Sequence, residues 1–352
     1  MRPLAQPPPM DMPRIPFPEL RDTIRTAFER AGMPPDKAAA CARIHAESSL
    51  DGVNSHGLNR VERFVDYIHR GWVDVRAEAV PVQAMGSLEV WDGRLGPGVL
   101  NAQQAMERAT DVARRDGMGI VALRNTTHWM RGGTYGWQAA EAGCIAMCWT
   151  NTESCMPAWG ARSECIGNNP FVAAVPRKDG HLVLDMAMSQ YSYGRLQVTR
   201  LRGERLPYPG GFDAEGELTD DPAAIEATRR ILPTGFWKGS GLAVMLDLVA
   251  AILSGGRTTA EVDRLGKGSC GSCCQVFIAF DPQSQHTAAT IEAAVEGTVR
   301  QLHAAMPAGE GGKVRHPGER TLMTRTANLA QGVPVDSGVW AAVCRLAGQP
   351  DA

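Results

Sequence analysis

No surplus of either charge marks this sequence. Its 36 Lys and Arg stand against 38 Asp and Glu, a net charge of −2, whereas a nucleic-acid binder normally carries a basic excess. No apolar run approaches the roughly 20 residues that cross a bilayer. Nine cysteines, scattered and odd in number, suggest no disulfide framework and fit a reducing cytoplasm. There is no P-loop, no G-x-S-x-G elbow and no internal repeat. What remains is 352 residues, 44% hydrophobic and 21% charged. That is an ordinary globular chain, without nucleic-acid or membrane partners, long enough for two domains or one large one. Met1 to Pro18 holds seven prolines and no apolar core segment. Residues 1–17 read as a disordered extension, not a signal peptide.

The hydrophobic pattern predicts helices at both ends and strands between them. Leu20, Ile24 and Phe28 space a helix from Leu20 to Ala31, closed by Gly32. After Pro34-Pro35, Asp36 is placed to cap an alanine-rich helix from Lys37 to Leu50. Asn101 is placed to cap a helix running to Arg115, stopped by Gly117. Pro81 to Trp91, Ile120 to Leu123, Cys144 to Trp149, Phe171 to Val175, Leu182 to Met186 and Val276 to Phe280 are β-leaning. Arg177-Lys178-Asp179-Gly180 reads as a hairpin turn, so the strands on either side of it should be antiparallel. Leu242 to Leu253 is apolar on nearly all sides and predicts a helix buried in the core. Ala288 to Met306 and Trp340 to Leu346 predict the last helices. The expected division is a helical domain from 18–80 and 285–352 around a central α/β domain at 81–284.

Two glycine patterns fail as dinucleotide fingerprints. Gly117-Met118-Gly119-Ile120-Val121-Ala122 and Gly266-Lys267-Gly268-Ser269-Cys270-Gly271 match G-x-G-x-x-A and G-x-G-x-x-G. The fingerprint needs a strand before it and a helix after it, because the pyrophosphate rests on that helix N-terminus. Here a helix runs in and a strand runs out. Cys270, Cys273 and Cys274 could suggest zinc, but no second spaced pair completes four ligands. No metal is expected.

The chemistry concentrates in a few loops. Asn54-Ser55-His56-Gly57-Leu58-Asn59-Arg60 precedes a helix whose stripe is Leu58, Val61, Val65 and Ile68. Ser55 is placed to cap it and Gly57 to bend into it, which sets His56 at the helix mouth beside free N–H groups. A histidine hands over a proton near neutral pH, and an arginine grips a carboxylate through two parallel hydrogen bonds. His56 with Arg60 therefore suits a small 2-keto or 2-hydroxy acid. The same residues also fit a solvated surface pair. His128 follows a strand's carboxyl end, where α/β proteins tend to place sites. Asp185 interrupts an apolar strand and needs a partner if buried. It could hold an imidazole's tautomer or a cofactor group. Lys238, before glycines and a helix, suits a phosphate or ribose.

These residues carry a resemblance over roughly residues 18–347. Ser55-His56-Gly57 with Asn59-Arg60, Asn125 to His128 with Gly132, Asn151, Trp159-Gly160, and Gly167-Asn168-Asn169-Pro170 belong to it. So do Asp185-Met186-Ala187, Lys238-Gly239-Ser240-Gly241 and Pro317-Gly318-Glu319. The chain resembles the malate/L-lactate dehydrogenase-like oxidoreductases, whose nicotinamide-binding fold is not Rossmann. The run from His128 to Trp137, Ser192-Tyr193-Gly194, Arg229 to Pro233 and Trp237-Lys238-Gly239 resemble the branch that reduces 2,3-diketo-L-gulonate to 3-dehydro-L-gulonate.

The resemblance implies a homodimer that reduces a 2-keto sugar acid with NADH, or alternatively NADPH. A malate/lactate-type acid or a cyclic imino acid is the other substrate class, and a non-catalytic nicotinamide-binding protein the alternative of another kind. It implies His56 as proton donor, with His128 and Asp185 beside it and Ser55, Asn59 and Arg60 at the substrate. The cofactor contacts it implies are His181, Leu182, Val183, Leu184, Asp185, Met186 and Ala187, then Trp237, Lys238, Gly318 and Glu319. The implied fold is α/β: a helical layer from both chain ends, with a central sheet that is largely antiparallel or mixed.

Overall fold

The computed structural model describes residues 12–268, 271–309 and 311–349. The two ends of the chain fold together. Helices Phe17–Arg30, Pro35–Leu50 and Val61–His69 pack with the C-terminal helix Ser337–Leu346. Leu20, Ile24, Phe28, Ile44, Phe64 and Val343 close a common core between them. Burying such side chains is worth roughly 1.5–3 kcal/mol each. Met1 to Asp11 lie outside the described residues. Arg14–Ile15, expected within the disordered extension, instead pairs antiparallel with Val333–Pro334. The distant chain end supplies the partner, which no local pattern reveals.

Three caps differ from expectation. Helix Pro35–Leu50 begins at Pro35, and Asp36 lies in its first turn, because a proline's missing N–H costs nothing there. Helix Gly98–Asp116 starts ahead of Asn101. Asn101 is buried in it and donates to Gly93 O and Thr126 Oγ1 at 3.0 Å each. Gly117 does close that helix, at φ +86°. The loop after Leu50 forms two short 3₁₀ turns, Asn54–His56 and Leu58–Arg60, before helix Val61–His69 begins. Ser55 therefore caps nothing.

Seven strands form one sheet, in the order Val80–Met85, Leu88–Asp92, Met118–Thr126, Cys273–Phe280, Ile145–Thr150, Phe171–Val175, Leu182–Met186. Only Leu88–Asp92 with Met118–Thr126 is parallel, joined across helix Gly98–Asp116. The expected hairpin is present, with Phe171 opposite Met186 and Val175 opposite Leu182. Side chains alternate across the sheet. Val121, Leu123, Phe277 and Ala279 face helices Gly98–Asp116 and Gly133–Glu141. Val276 and Ile278 face helix Trp237–Ser254. Both glycine matches run from a helix into a strand, as the sequence implied. Cys270 lies outside the described residues, while Cys273 and Cys274 are buried at the start of the central strand.

Helix Trp237–Ser254 is not buried all round. Ala243, Leu246 and Ala250 pack on the sheet, and Asn169 Nδ2 donates to Ala243 O at 2.8 Å. Its other face exposes Leu242, Met245, Leu248 and Ile252, the last at 74%. By length and composition these 18 residues could cross a membrane. Yet Asp247 in its midst accepts from Asn151 Nδ2 at 2.8 Å and Thr259 N at 2.9 Å, which ties the helix to the sheet's own loops.

Candidate active site

The loop that carries His56 is stitched to the helix before it. Leu58 N donates to Ser49 Oγ at 2.8 Å. A Cβ on Gly57 would stand 2.3 Å from Ser49 Oγ and 2.7 Å from His45 O. Glycine is needed there for close approach and not for a special φ. Ser55 Oγ lies 3.0 Å from His56 Nδ1, and Arg60 Nε donates to Ser55 O at 3.0 Å. His56 is thus set by the side chain before it and by the arginine four residues on, not by a helix N-terminus. Asn59 is exposed on the same turn. Gly194, at the start of helix Tyr193–Leu201, leaves room for Ser55, whose Cβ would be 3.3 Å from an added methyl.

Across the joint stands His128, on the loop that leaves strand Met118–Thr126. Its ring stacks on His56, with centroids 5.9 Å apart and planes at 23°. His128 Nδ1 accepts from Met130 N at 2.9 Å, so the neutral ring carries its proton on Nε2. Met130 takes φ +61° to turn the chain toward Arg131. Arg131 is buried and forms an ion pair with Asp51 at the end of helix Pro35–Leu50. Asp51 also accepts from Arg325 Nε at 2.7 Å and Nη2 at 2.9 Å. On its other side, Arg131 Nε lies 3.6 Å from Asp185 Oδ2 and makes no hydrogen bond. Asp185 accepts from Gly133 N at 2.9 Å. Among the described residues its polar contacts are these two, so it holds no imidazole. A Cβ on Gly133 would stand 2.7 Å from Asp185 Oδ2 and 3.2 Å from Asp185 Cβ, so any larger residue would displace the carboxylate.

This cluster is cationic and partly dry, and its pKa values follow. Burial, with Arg60 and Arg131 close by, pushes His56 down to about 4. Burial first, then Arg60 and His56, drives His128 well below the ordinary imidazole range. Burial raises Asp185 against the pull of Arg131 and the Gly133 N–H. Without an anion, both histidines are neutral at pH 7. An anion placed against Arg60 would offset part of that positive charge.

The second half of the site is backbone. Strand Leu182–Met186 is the last of the sheet and pairs on one side only, with Phe171–Val175. At its beginning, Val183 N donates to Pro317 O at 3.1 Å. Gly318 then crosses the strand at φ +91°, where a Cβ would stand 3.0 Å from both His181 O and Val183 N. Glu319 opens helix Glu319–Gln331. At the strand's end, Thr234 N donates to Met188 O at 2.8 Å, which leads the chain through Phe236 at φ +62° into exposed Trp237 and Lys238. His181 to Ala187 spans about 20 Å at ~3.3 Å per residue, with Gly318 and Glu319 at one end and Trp237 and Lys238 at the other. Leu184 is exposed on it. Trp137 packs on His181 at 5.7 Å, and its buried indole N–H has no partner among the described residues. An exposed strand edge with a spare donor and a lysine fits a long ligand rich in hydroxyl and phosphate oxygens, as a nicotinamide dinucleotide is.

Comparison with known proteins decides the family. The profile of the malate/L-lactate dehydrogenase family matches residues 15–344. The chain belongs to the malate/L-lactate dehydrogenase family. It is 41% identical over 333 residues to the 2,3-diketo-L-gulonate reductases of Escherichia coli O17:K52:H18 and Klebsiella pneumoniae, covering 95% of this chain and all of theirs. Malate dehydrogenase from Pyrococcus horikoshii shares the fold, at a TM-score of 0.89 and 24% identity, covering 99% of each chain. Delta1-piperideine-2-carboxylate reductase from Pseudomonas syringae aligns at 0.84 and 29%, covering 95% and 99%. This member of the malate/L-lactate dehydrogenase family is an oxidoreductase, and the family's chemistry implies a nicotinamide cofactor. Ser55, His56, Arg60, His128 and Asp185 gather at one joint, and the expected cofactor residues line one strand edge. The sequence did not single out Asp51 or Arg325. Arg131 and Trp137 stood inside the run from His128 to Trp137, but three residues after a loop histidine nothing marks Arg131 as buried.

Proposed function

We propose that this chain reduces a 2-keto sugar acid, 2,3-diketo-L-gulonate to 3-dehydro-L-gulonate, with NADH as cofactor and NADPH as the alternative. The observation that carries the reading is the stacked His56–His128 pair under Arg60 and Arg131, at the joint beside the exposed strand edge. His181 to Ala187 would hold the nicotinamide cofactor, which would supply the hydride. Trp237 and Lys238 hold one end of it, and Gly318 and Glu319 the other. Glu319 suits ribose hydroxyls and disfavours a 2′-phosphate, which supports NADH.

Arg60 fixes the substrate carboxylate and so chooses which carbonyl is presented. That bound charge offsets the two cations that depress His56. The acid thereby raises the pKa of its own proton donor, and His56 gives its proton to the carbonyl oxygen as charge develops there. His128, with Nε2–H available, donates to a neighbouring hydroxyl or carbonyl. Asp185 keeps Arg131 in place. Ser55 orients His56, and Asn59 lies at the substrate's open side. A cyclic imino acid is the second reading, supported by the piperideine-carboxylate reductase likeness.

NADH oxidation, followed by its absorbance against diketogulonate, pyruvate, oxaloacetate and a cyclic imino acid, tests this. Fast turnover with diketogulonate alone is expected. Preference for another acid would move the substrate, and the absence of cofactor binding would remove the catalytic reading altogether.

The exposed stripe of Leu242, Met245, Leu248 and Ile252 supports a homodimer, since a contiguous apolar face of this kind marks an interface. Ile252→Glu should convert the dimer to monomer in light scattering. A monomeric unaltered protein would place the dimer elsewhere or nowhere. Eight free cysteines among the described residues support a cytoplasmic setting.

A further inference from the structure

We propose that His303, His316 and Glu319 form a site for one zinc-like divalent ion. The sequence suggested no metal, because Cys270, Cys273 and Cys274 lack a second spaced pair. The fold brings them together from the last turn of helix Ala288–Ala304, the segment before Gly318, and the first residue of helix Glu319–Gln331. One ligand atom from each lies within 4.8 Å of the others. His303 Nε2 is 2.9 Å from Glu319 Oε2, and His316 Nε2 is 3.7 Å from the same oxygen. Ligands of a tetrahedral ion with bonds of ~2.0–2.1 Å stand ~3.4 Å apart. The two separations bracket that value.

The orientation of His316 is what points to an ion. Its side chain is 2% exposed. Its Nδ1 lies 2.9 Å from Pro317 O, and a carbonyl only accepts, so Nδ1 is the donor there and Nε2 is the ring atom left to face Glu319. A backbone carbonyl holding a ligand histidine in this tautomer is the usual support of a metal-bound imidazole. His316 Nε2 stands 3.7 Å from Glu319 Oε2, beyond hydrogen-bond reach, while that oxygen also accepts from His316 N at 3.2 Å; an ion between the two ligand atoms would bridge the gap. Two imidazoles and a carboxylate select a borderline ion such as zinc over magnesium or calcium. A cavity of about 630 Å³ opens beside the cluster, lined by His303, Met306, Pro307, Gly312, Lys313 and Glu319. It gives room for water to complete the coordination.

Glu319 is also assigned to the cofactor. Ion and cofactor therefore compete for one carboxylate, and this second half rests on the functional reading above. The test uses the full chain stripped with a chelator and titrated with Zn²⁺ in a calorimeter, with Co²⁺ absorption as a second signal. One ion per chain is expected, with affinity lowered at least ~10-fold in His303→Ala; the residue is exposed, so the fold survives. Cys165→Ser should bind as the unaltered protein does. No binding at micromolar Zn²⁺, equal binding by His303→Ala, or loss in Cys165→Ser would each overturn the site. NADH titrated with and without Zn²⁺ then tests the competition. The ion should weaken NADH binding in the unaltered protein and not in His303→Ala. Equal NADH binding would overturn the competition alone.

Discussion

The two halves of the site are built in opposite ways. The half proposed for the substrate is side chains from distant parts of the chain, locked by buried charge: His56 on His128, and Arg131 between Asp51 and Asp185. The half proposed for the cofactor is main chain: a one-sided strand, a glycine laid across it, and the mouth of a helix. Buried charge sets pKa values and demands exact partners, since a lone buried charge is costly. An exposed backbone edge sets shape, and tolerates many side chains. Substitutions should therefore strike the first half through proton transfer and stability, and the second through cofactor affinity alone.

The largest effect is expected at His56. His56→Ala should lower turnover by about 10²–10⁴-fold, the usual worth of a positioned acid, and leave NADH binding by fluorescence unchanged. Loss of both together would erase the division between the halves. Next comes Arg131→Met. It leaves Asp51 with Arg325 alone and Asp185 with no cation, and should cost about 3–5 kcal/mol of stability in denaturant unfolding. A full-stability variant would show that the network is solvated, and the substrate half would then be no more constrained than the cofactor half.

Arg60→Ala should raise KM for the acid by roughly 10–100-fold, from the ~1.5–3 kcal/mol of a charge-assisted bond. An unmoved KM would remove Arg60 from the substrate site. The same charges predict a pH signature. His56 must be protonated to act, so the rate falls as pH rises through its pKa. That pKa is about 4 in the free protein, which kcat/KM reports, whereas kcat reports the complex. Since the bound carboxylate offsets Arg60 and Arg131, the limb in kcat should lie at higher pH than the limb in kcat/KM. Coincident limbs would mean that the acid leaves His56 unmoved.

The same contrast governs what was legible in the sequence. The hairpin of Phe171–Val175 with Leu182–Met186 is readable because four polar turn residues separate two apolar runs, a local signal. The rejection of both glycine matches is readable because it needs only the order of neighbouring elements. The loop of His56 is readable as chemistry but not as geometry. Ser55 looks like a cap, yet a contact with Ser49 on the previous helix holds the loop in 3₁₀ turns instead. Helix Trp237–Ser254 looks buried because hydropathy cannot distinguish a core from an uncovered face. Asp51, Arg131 and Arg325 are illegible for a stronger reason. Their meaning lies in contacts 80 and 274 residues apart in the chain, and nothing local distinguishes a buried arginine from a solvated one.

The smallest effect belongs to the backbone half and is the cleanest probe of it. Gly318 sits at φ +91°, over His181 O and Val183 N. Gly318→Ala must hold a left-handed conformation at ~1–2 kcal/mol and press its methyl against two backbone atoms. The crossing should loosen from the strand and carry Glu319 with it. The expected result is NADH binding weakened by about tenfold, the equivalent of ~1.4 kcal/mol. At saturating NADH, kcat and its pH limb should be those of the unaltered protein, because no group near His56 has moved. A shifted pH limb would show that the strand edge and the buried charges respond as one unit, coupled through Asp185, which lies on both.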